Sequence, residues 1–315
     1  MPLTFAGEIV QDAADNAVGV GAFNVVQIEH AEAIVAGAEA AGLPVILQIS
    51  ENTARYHGSL APIGLAALAI ARTSRVRVAV HLDHAESTEL VREAVELGFT
   101  SVMFDASKLP YRENVTTTRD ITAYCRTRGV WVEAELGEVG GKDGAHAPGV
   151  RTDPDQAREF VAATAVDALA VAVGSSHAML TRDAALDYAL ITRLRAAVST
   201  PLVLHGSSGV ADADIVRAIG AGMTKVNIST HLNKTFTQAV RAHLDANATV
   251  ADPRKYLGPA RDAVAAEVAR LLRVLNLEPD SVRSHLTSDQ DMPGRSGGTN
   301  DGTSRASGPT LAATS

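Results

Sequence analysis

Three histidines in this chain each follow a separate short apolar run. His84 closes the run from position 78, His177 follows the run from position 169, and His205 closes the run from position 201. Runs rich in Val, Leu and Ala are typical of buried parallel strands, whose C-terminal ends meet at one edge of a barrel. Three imidazoles at that edge would form the open site of a catalytic zinc ion, and Asp83 would be its neighbouring acid or base. We therefore expect metal-assisted chemistry.

The remaining histidines are interpreted as structural residues. They are His30, His57, His81, His146, His231, His243 and His285. His81 and Asp83 are two positions apart and should share one face of a strand, whereas His84 should point to the other side or lie past the strand end. Imidazole ligands favour zinc, with cobalt or another first-row ion as a substitute.

Glycines and small hydroxyl residues follow the seventh and eighth apolar runs. Gly206, Ser207 and Ser208 come directly after His205, and the eighth run ends in Asn227–Thr230. Barrels commonly bind a phosphate on the loops after these two strands. The simpler interpretation is that the glycines form a turn and that the hydroxyls cap helices. Beside a metal ligand, the pattern favours a phosphorylated substrate.

The segment 132–149 combines acidic residues with a glycine-rich loop. Glu133 and Glu135 alternate with apolar neighbours, so at least one should face the barrel interior, where it needs a cation or a donor. The same reasoning applies to Asp105, which ends the fourth run. The five glycines of the segment suggest a lid that closes over substrate, rather than an ordinary surface loop.

Eight apolar runs alternate with stretches of helical periodicity. The runs are 20–25, 44–50, 76–84, 101–105, 131–137, 168–174, 201–206 and 225–230. This alternation predicts an α/β fold, a (β/α)8 TIM barrel, over residues 1–277. A doubly wound sheet is the alternative, but no Gly-x-Gly-x-x-Gly turn follows the first run. Residues 278–315 are rich in Ser, Thr, Gly, Asp and Pro, which predicts a disordered tail.

Composition narrows the classes of partner and compartment. A net charge of −8 gives no electrostatic reason to bind nucleic acid or an anionic membrane surface. The chain shows no secretory signal and no apolar run of about 20 residues, so a cytoplasmic protein without a membrane span is expected. Its single cysteine, Cys125, fits a reducing compartment.

Taken in order, these segments resemble one enzyme family. The matching stretches are 22–24, 81–84, 101–107, 132–137, 174–177, 203–209, 225–230 and 252–254. They run collinearly through about residues 1–277 and are similar to the class II, zinc-dependent ketose-bisphosphate aldolases, which act on fructose or tagatose bisphosphate. The compact loops resemble the tagatose-type branch.

The resemblance implies a role for each part of the site. His84, His177 and His205 would bind one zinc ion per subunit, with Asp105 and Glu135 supporting it or offering an alternative seat. Asp83 would exchange a proton with the C4 hydroxyl of the substrate. The phosphate of dihydroxyacetone phosphate would bind Gly206, Ser207, Ser208, Asn227, Ile228, Ser229 and Thr230. The resemblance also allows a monovalent cation as a further cofactor.

Three more residues follow from the resemblance. Arg254 matches an arginine that reaches the distal phosphate from a neighbouring subunit, which implies a homodimer or homotetramer. Ala178 stands at a substrate-binding position where the family usually carries Gly. Asp143, after Lys142, stands where the family has a glutamate, and it becomes the candidate base for the α-proton of the ketone. Glu138 is its rival.

The implied reaction is reversible cleavage of a ketose 1,6-bisphosphate, fructose or tagatose, to dihydroxyacetone phosphate and glyceraldehyde 3-phosphate. Another phosphorylated keto sugar or sugar acid, such as 2-deoxy-5-keto-gluconate 6-phosphate, is an open alternative substrate. A Schiff-base aldolase would need a lysine at the top of a strand, whereas Lys225 is expected to begin the eighth strand at its opposite end. A metal-dependent hydrolase would carry His-x-His after the first run, where this chain has Ala22-Phe23-Asn24. A catalytically silent sugar-phosphate sensor is a further alternative.

Overall fold

The computed structural model describes residues 3–137, 151–177 and 179–277, and these form a closed barrel of parallel strands. The strands are β1 Val20–Asn24, β2 Val45–Ser50, β3 Val78–Ala85, β4 Ser101–Phe104, β5 Trp131–Leu136, β6 Ala168–Val171, β7 Leu202–Leu204 and β8 Met223–Ile228. They follow one another in chain order around the barrel, and β8 closes on β1 through Val20–Phe23 paired with 225–228. The (β/α)8 prediction is confirmed.

Helices surround the barrel. In the described residues they are α1 Ala6–Asp15, α2 Ile28–Ala41, α3 Glu51–His57, α4 Ala61–Thr73, α5 Thr88–Leu97, α6 Tyr111–Arg126, α7 Pro154–Thr164, α8 Tyr188–Ala197, α9 Asp212–Ala221, α10 Thr230–Ala246 and α11 Arg254–Leu275. Among them, none combines the length and apolarity that crossing a membrane would require.

Local signals in the sequence set several helix ends. The Ser87 hydroxyl accepts from the Leu90 N–H at the start of α5, and the Asp153 carboxylate accepts two backbone N–H groups at the start of α7. Pro154 occupies the first position of α7, where its missing N–H costs no helical hydrogen bond. Gly98 ends α5 with a φ of 94°, a conformation that favours glycine.

The barrel interior changes character from bottom to top. At the N-terminal end, Ile9 and Val10 of α1 pack against Val20, Ile46 and Ala79 and close the barrel with apolar side chains. Because inward-facing positions recur every second residue, later inward positions on the same strands carry the polar residues of the upper barrel, namely Asn24, Gln48 and His81. This polar layer positions the candidate site.

Candidate active site

A cavity of about 410 Å³ opens at the C-terminal end of the barrel. Its walls come from the ends of strands and the loops that follow them. The lining residues include Asn24, Gln48, Asp83, His84, His177, Gly206, Ser208, Asn227, Ser229 and Thr230. The C-terminal face is where barrels of this fold carry their active sites, because the βα loops converge there.

The three predicted histidines form one cluster, in which His84 and His177 line the cavity and His205 is fully buried beside them. Their ring centroids lie 4.7 Å apart for His84 and His205, 5.0 Å for His84 and His177, and 5.6 Å for His177 and His205. Together with Glu135 they offer four donor atoms that all lie within 4.8 Å of one another. His205 directly follows β7, whereas β6 ends at Val171, so His177 lies in the following loop rather than at a strand end.

Three imidazoles and one carboxylate are a donor set that suits a first-row divalent cation. The short separations between ligand atoms allow one ion to contact all of them. The residues therefore fit a resident metal ion of the zinc type, with Glu135 as a further donor beside the histidines.

His84 reaches the cavity through an unusual backbone conformation. Consecutive residues of a strand point to opposite faces, so Asp83 and His84 would diverge in a regular β3. His84 instead has a φ of 49°, and the pairing of β3 with β4 shifts register between Leu82 and Ala85. This local break allows both Asp83 and His84 to line the same cavity.

A carboxylate orients the His84 ring. Nδ1 of His84 lies 2.8 Å from Oδ2 of Asp105, which directly follows β4. Asp105 is itself held by the Ser107 hydroxyl, which donates to Oδ1 at 2.6 Å. When Nδ1 donates to a carboxylate, Nε2 is the nitrogen left to bind an ion. Through this contact with the His84 ring, Asp105 would support a bound ion as expected.

Both predicted interior glutamates are fully buried and face His205. Oε1 of Glu133 lies 2.9 Å from Nε2 of the ring, and Oε2 of Glu135 lies 3.4 Å from Nδ1. Lys225 neutralises Glu133, since its Nζ lies 2.9 Å from Oε2. The expectation that Lys225 begins its strand is wrong, because β8 starts at Met223 and Lys225 lies within it.

The candidate proton-transfer residue Asp83 is almost completely buried, with 2% of its surface exposed. Its Oδ2 accepts from Nδ2 of Asn24 at 2.8 Å, and Asn24 accepts in turn from Nε2 of Gln48 at 2.7 Å. Oδ1 lies 4.0 Å from Nε2 of His84, which is too far for a hydrogen bond. Asp83 is thus next to the cluster of His84, Glu135, His177 and His205, called the metal-ligand group below. Asn24 occupies the β1 end, where a metal-dependent hydrolase would carry histidines.

His81 lies below Asp83 on the same face of β3. Its ring is fully buried, and Nδ1 lies 2.9 Å from the Ser101 hydroxyl. Burial, reinforced by the Lys225 ammonium, holds the pKa of His81 well below its ordinary value. The ring is therefore neutral at physiological pH, in line with the structural role expected for it.

The predicted anion-binding residues divide into cavity lining and support. Gly206, Ser208, Asn227, Ser229 and Thr230 line the cavity. Ser207 is buried and donates its hydroxyl to the Asn227 carbonyl, so this side chain ties the β7 loop to β8. Ile228 is buried in the apolar core, which leaves only its backbone for a ligand.

Ser208 also caps a helix, as the simpler interpretation of this loop expects. Its Oγ accepts from the backbone N–H groups of Ser229 and His231 at the start of α10, each at 3.2 Å. Gly206 has a φ of 67°, and a Cβ there would lie 2.6 Å from the Ser176 backbone. Glycine is therefore required for the β7 loop to pass beside the His177 loop.

Arg254 does not join the cavity of its own chain. It begins α11, its side chain is 88% exposed, and it pairs with Asp252 at 2.8 Å. Asp143, its rival Glu138, and Ala178 lie outside the described residues, as does the segment 278–315. The assignments that fall there stay predictions.

One wall of the cavity consists of residues that no sequence motif identified. They come from the end of β2, from α3 and from the loops after β3 and β4, namely Ser50, Glu51, Asn52, Arg55, Glu86 and Lys108. Glu51 ion-pairs with Arg55 and accepts from the Glu86 N–H at 2.6 Å, which joins α3 to the loop that follows His84. The cue available in the sequence was Ser50, which ends β2 and caps α3, its hydroxyl accepting from the Thr53 N–H.

The chain is similar to known aldolases in sequence and in structure. A family described as class-II fructose-bisphosphate aldolase matches residues 5–279. A fructose-bisphosphate aldolase of Geobacillus stearothermophilus is 41% identical over 277 residues, which cover 87% of this chain and 96% of that protein. One from Staphylococcus aureus is 40% identical over 272 residues, covering 85% and 95% respectively. Among solved structures, the YdjI aldolase from Escherichia coli K12 superposes with a TM-score of 0.75 at 31% identity, covering 88% of this chain and 99% of that one.

Proposed function

The chain belongs to the class-II fructose-bisphosphate aldolase family, and from this premise we propose that it reversibly cleaves a ketose 1,6-bisphosphate, fructose or tagatose. The products would be dihydroxyacetone phosphate and glyceraldehyde 3-phosphate. Membership makes the protein an aldehyde-lyase that acts on a phosphorylated sugar with the help of a metal ion. The observation that carries the finer proposal is the cluster of His84, His177 and His205, of which the first two line the cavity together with Asp83.

We assign the metal as zinc, with one ion per subunit held by His84, His177 and His205. Glu135 lies within the same group of donor atoms and would be a fourth ligand or an alternative seat. A bound zinc ion would polarise the ketone carbonyl and stabilise the negative charge that develops beside it. The hydroxyls and backbone N–H groups of the loops that carry Ser208 and Ser229 would bind the phosphate of the dihydroxyacetone phosphate half of the substrate.

Asp83 would carry the proton at C4. In cleavage its carboxylate takes the C4 hydroxyl proton, the C3–C4 bond breaks, and the aldehyde carbonyl forms at C4 while the electron pair stays with C3. In condensation the same carboxyl group returns the proton to the new hydroxyl. Nearly complete burial and the hydrogen bond from Asn24 hold Asp83 in one place, as proton transfer requires.

A second acid must protonate C3, and we assign this role to Asp143, with Glu138 as the alternative. An Asp143→Ala variant should slow both cleavage and exchange of the dihydroxyacetone phosphate α-proton, by about 10²- to 10⁴-fold. Asp143→Glu should retain or improve activity if reach is the only limitation. Near wild-type exchange in Asp143→Ala, with loss in Glu138→Ala, would transfer the role to Glu138.

Arg254 fits a role in a neighbouring subunit. It is exposed and lies outside its own cavity, so a homodimer or homotetramer could bring it to the distal phosphate of another subunit. Oligomers that mix Arg254→Ala subunits with Asp83→Asn subunits offer a test. In such an oligomer one site would combine the intact Asp83 of the first subunit with the intact Arg254 of the second, so activity should be partly restored. Activity that stays at the level of the separate variants would contradict this arrangement.

The decisive experiment compares substrates and metal states. Cleavage of fructose 1,6-bisphosphate, tagatose 1,6-bisphosphate and 2-deoxy-5-keto-gluconate 6-phosphate is measured in the chelated protein and after adding back zinc. We expect activity on a ketose bisphosphate that disappears with the chelator and returns with the ion. Full activity in the chelator, together with a lysine adduct trapped by borohydride, would overturn the proposal. Preference for the sugar acid would move the substrate assignment and leave the metal assignment intact.

A further inference from the structure

A fully buried lysine lies beneath the metal-ligand group. Lys225 extends inside the barrel from β8, and its Nζ contacts Oε2 of Glu133 at 2.9 Å, Oδ1 of Asn227 at 2.7 Å and Oε1 of Gln48 at 3.4 Å. Lysine is almost never fully buried without such partners. In the described part of the chain, neither Lys225 nor Glu133 is among the residues that line the cavity. Both must therefore act through other side chains.

The first route from Lys225 leads to His205. Glu133 contacts the lysine through Oε2 and the His205 Nε2 through Oε1, at 2.9 Å in both cases. Nδ2 of Asn227, which is a donor, lies 3.1 Å from the same ring nitrogen. This nitrogen cannot both donate to Glu133 and accept from Asn227. The carboxylate contact is shorter and charge-assisted, so we place the ring hydrogen on Nε2, donating to Glu133. Nδ1, which faces Glu135, is then left for the ion.

The second route leads to Asp83 and depends on the direction of two amides. An amide side chain accepts only through its oxygen and donates only through its nitrogen. Because Lys225 is a donor, it turns the Gln48 oxygen toward itself, and Nε2 of Gln48 then points to Asn24 at 2.7 Å. The Asn24 oxygen accepts this bond, so Nδ2 of Asn24 faces Asp83 at 2.8 Å.

We propose that Lys225 is a positioning residue that fixes the metal-binding nitrogen of His205 through Glu133 and the orientation of Asp83 through Gln48 and Asn24. One buried cation thereby aligns the two halves of the site, metal binding and proton transfer. The Asp83 half of this inference rests on the proposed aldolase reaction, whereas the His205 half depends only on metal binding.

The test separates two effects of Lys225, its orientation of His205 and Asp83 and its contribution to stability through the buried charge pair with Glu133. Lys225→Met alone leaves Glu133 charged and buried, which is strongly destabilising, so it is paired with Glu133→Gln to remove both charges. Metal Kd, the visible spectrum of the cobalt-substituted protein, kcat and KM are measured for wild type, both single variants and the double variant. Lys234→Met is the matched control, since this half-buried lysine on α10 donates to the Leu180 carbonyl and lies outside the cavity lining.

We expect the double variant to regain the thermal stability lost in Lys225→Met. Its metal Kd should nevertheless stay about 10- to 100-fold weaker than that of wild type, with an altered cobalt spectrum. Its kcat should fall with KM little changed, while Lys234→Met behaves as wild type. Wild-type metal Kd, spectrum and kcat in a stable double variant would overturn the proposal and leave the pair a structural one.

A variant without a charge change tests the second route by itself. Gln48→Met breaks the chain between Lys225 and Asn24, so kcat for cleavage should fall at least tenfold while the metal Kd stays at the wild-type value. An unchanged kcat would refute the Asp83 route even if the double variant failed to fold. If wild type binds metal but cleaves no ketose bisphosphate, the proposed function fails, and the Kd comparison still decides the His205 route.

Discussion

Replacing Asp83 with asparagine removes one proton acceptor and little else. Asn has the shape of Asp, and its side-chain oxygen can still accept the 2.8 Å hydrogen bond from Asn24. Oδ1 of Asp83 lies 4.0 Å from Nε2 of His84, a proposed metal ligand, so we assign Asp83 to the wall beside the ion rather than to its ligands. Asp83→Asn should therefore fold and bind metal as wild type does.

The expected loss falls on one half of the reaction. A positioned general base contributes about 10²- to 10⁴-fold, which corresponds to about 2.7 to 5.4 kcal/mol in the activation free energy of cleavage. Dihydroxyacetone phosphate has no C4 hydroxyl, so exchange of its α-proton does not use Asp83. We expect kcat/KM for cleavage to fall into that range while exchange retains a substantial part of its rate.

Two assays on the same preparation decide the matter. Cleavage is followed by coupled reduction of the triose phosphates, and exchange by loss of tritium from labelled dihydroxyacetone phosphate, with bound metal measured in parallel. His84→Ala is the matched control, because loss of a ligand should abolish cleavage and exchange together. Equal losses of both activities in Asp83→Asn, with metal still bound, would refute the assignment of Asp83 to the C4 hydroxyl.

Three further outcomes follow from the site and its surroundings. His177→Ala should lose bound metal and activity together, as measured by metal analysis after dialysis, and a full metal complement would contradict its role as a ligand. Asp105→Asn should weaken metal binding by about 10- to 100-fold without unfolding the protein, since it removes the carboxylate that orients a ligand ring; an unchanged Kd by competition with a chelating dye would count against it. Burial raises the pKa of Glu267, but hydrogen bonds from Arg270 and His231 outweigh it and bring the pKa to about 2. The metal-free protein should therefore keep this stabilisation above about pH 4.5 and lose it progressively as the pH falls toward 2, and Glu267→Gln should flatten that part of the unfolding profile.

The barrel and its histidine cluster could be predicted because they depend on local patterns. Each apolar run predicts a strand, and the parallel strands of a barrel bring their C-terminal ends to one face regardless of how the side chains pack. His205 follows its strand directly, as expected. His177 shows the limit of this reasoning, because β6 ends at Val171 and a loop carries the histidine back to the site.

The polar interior could not be predicted in the same way. Asn24, Gln48, Glu133 and Lys225 come from four strands and meet only after the barrel closes, and Gln48 and Lys225 are separated by 177 positions in the sequence. No single segment signals that such residues share a layer, although the alternation around Glu133 did predict an inward-facing acid. A lysine within a strand is expected to expose its side chain to solvent unless a buried partner for its charge is known.

The alternation rule failed at one place, and that place carries two residues of the proposed site. A regular β3 would put Asp83 and His84 on opposite faces, so the proposed proton-transfer group and the proposed metal ligand could not both line the cavity. The left-handed conformation of His84 removes this conflict at a cost of about 1–3 kcal/mol for a residue other than glycine. The hydrogen bond between His84 and Asp105 then holds the ring where that conformation directs it. Pattern reasoning assumes regular backbone, and it is weakest at the residue whose strain brings two functional groups together.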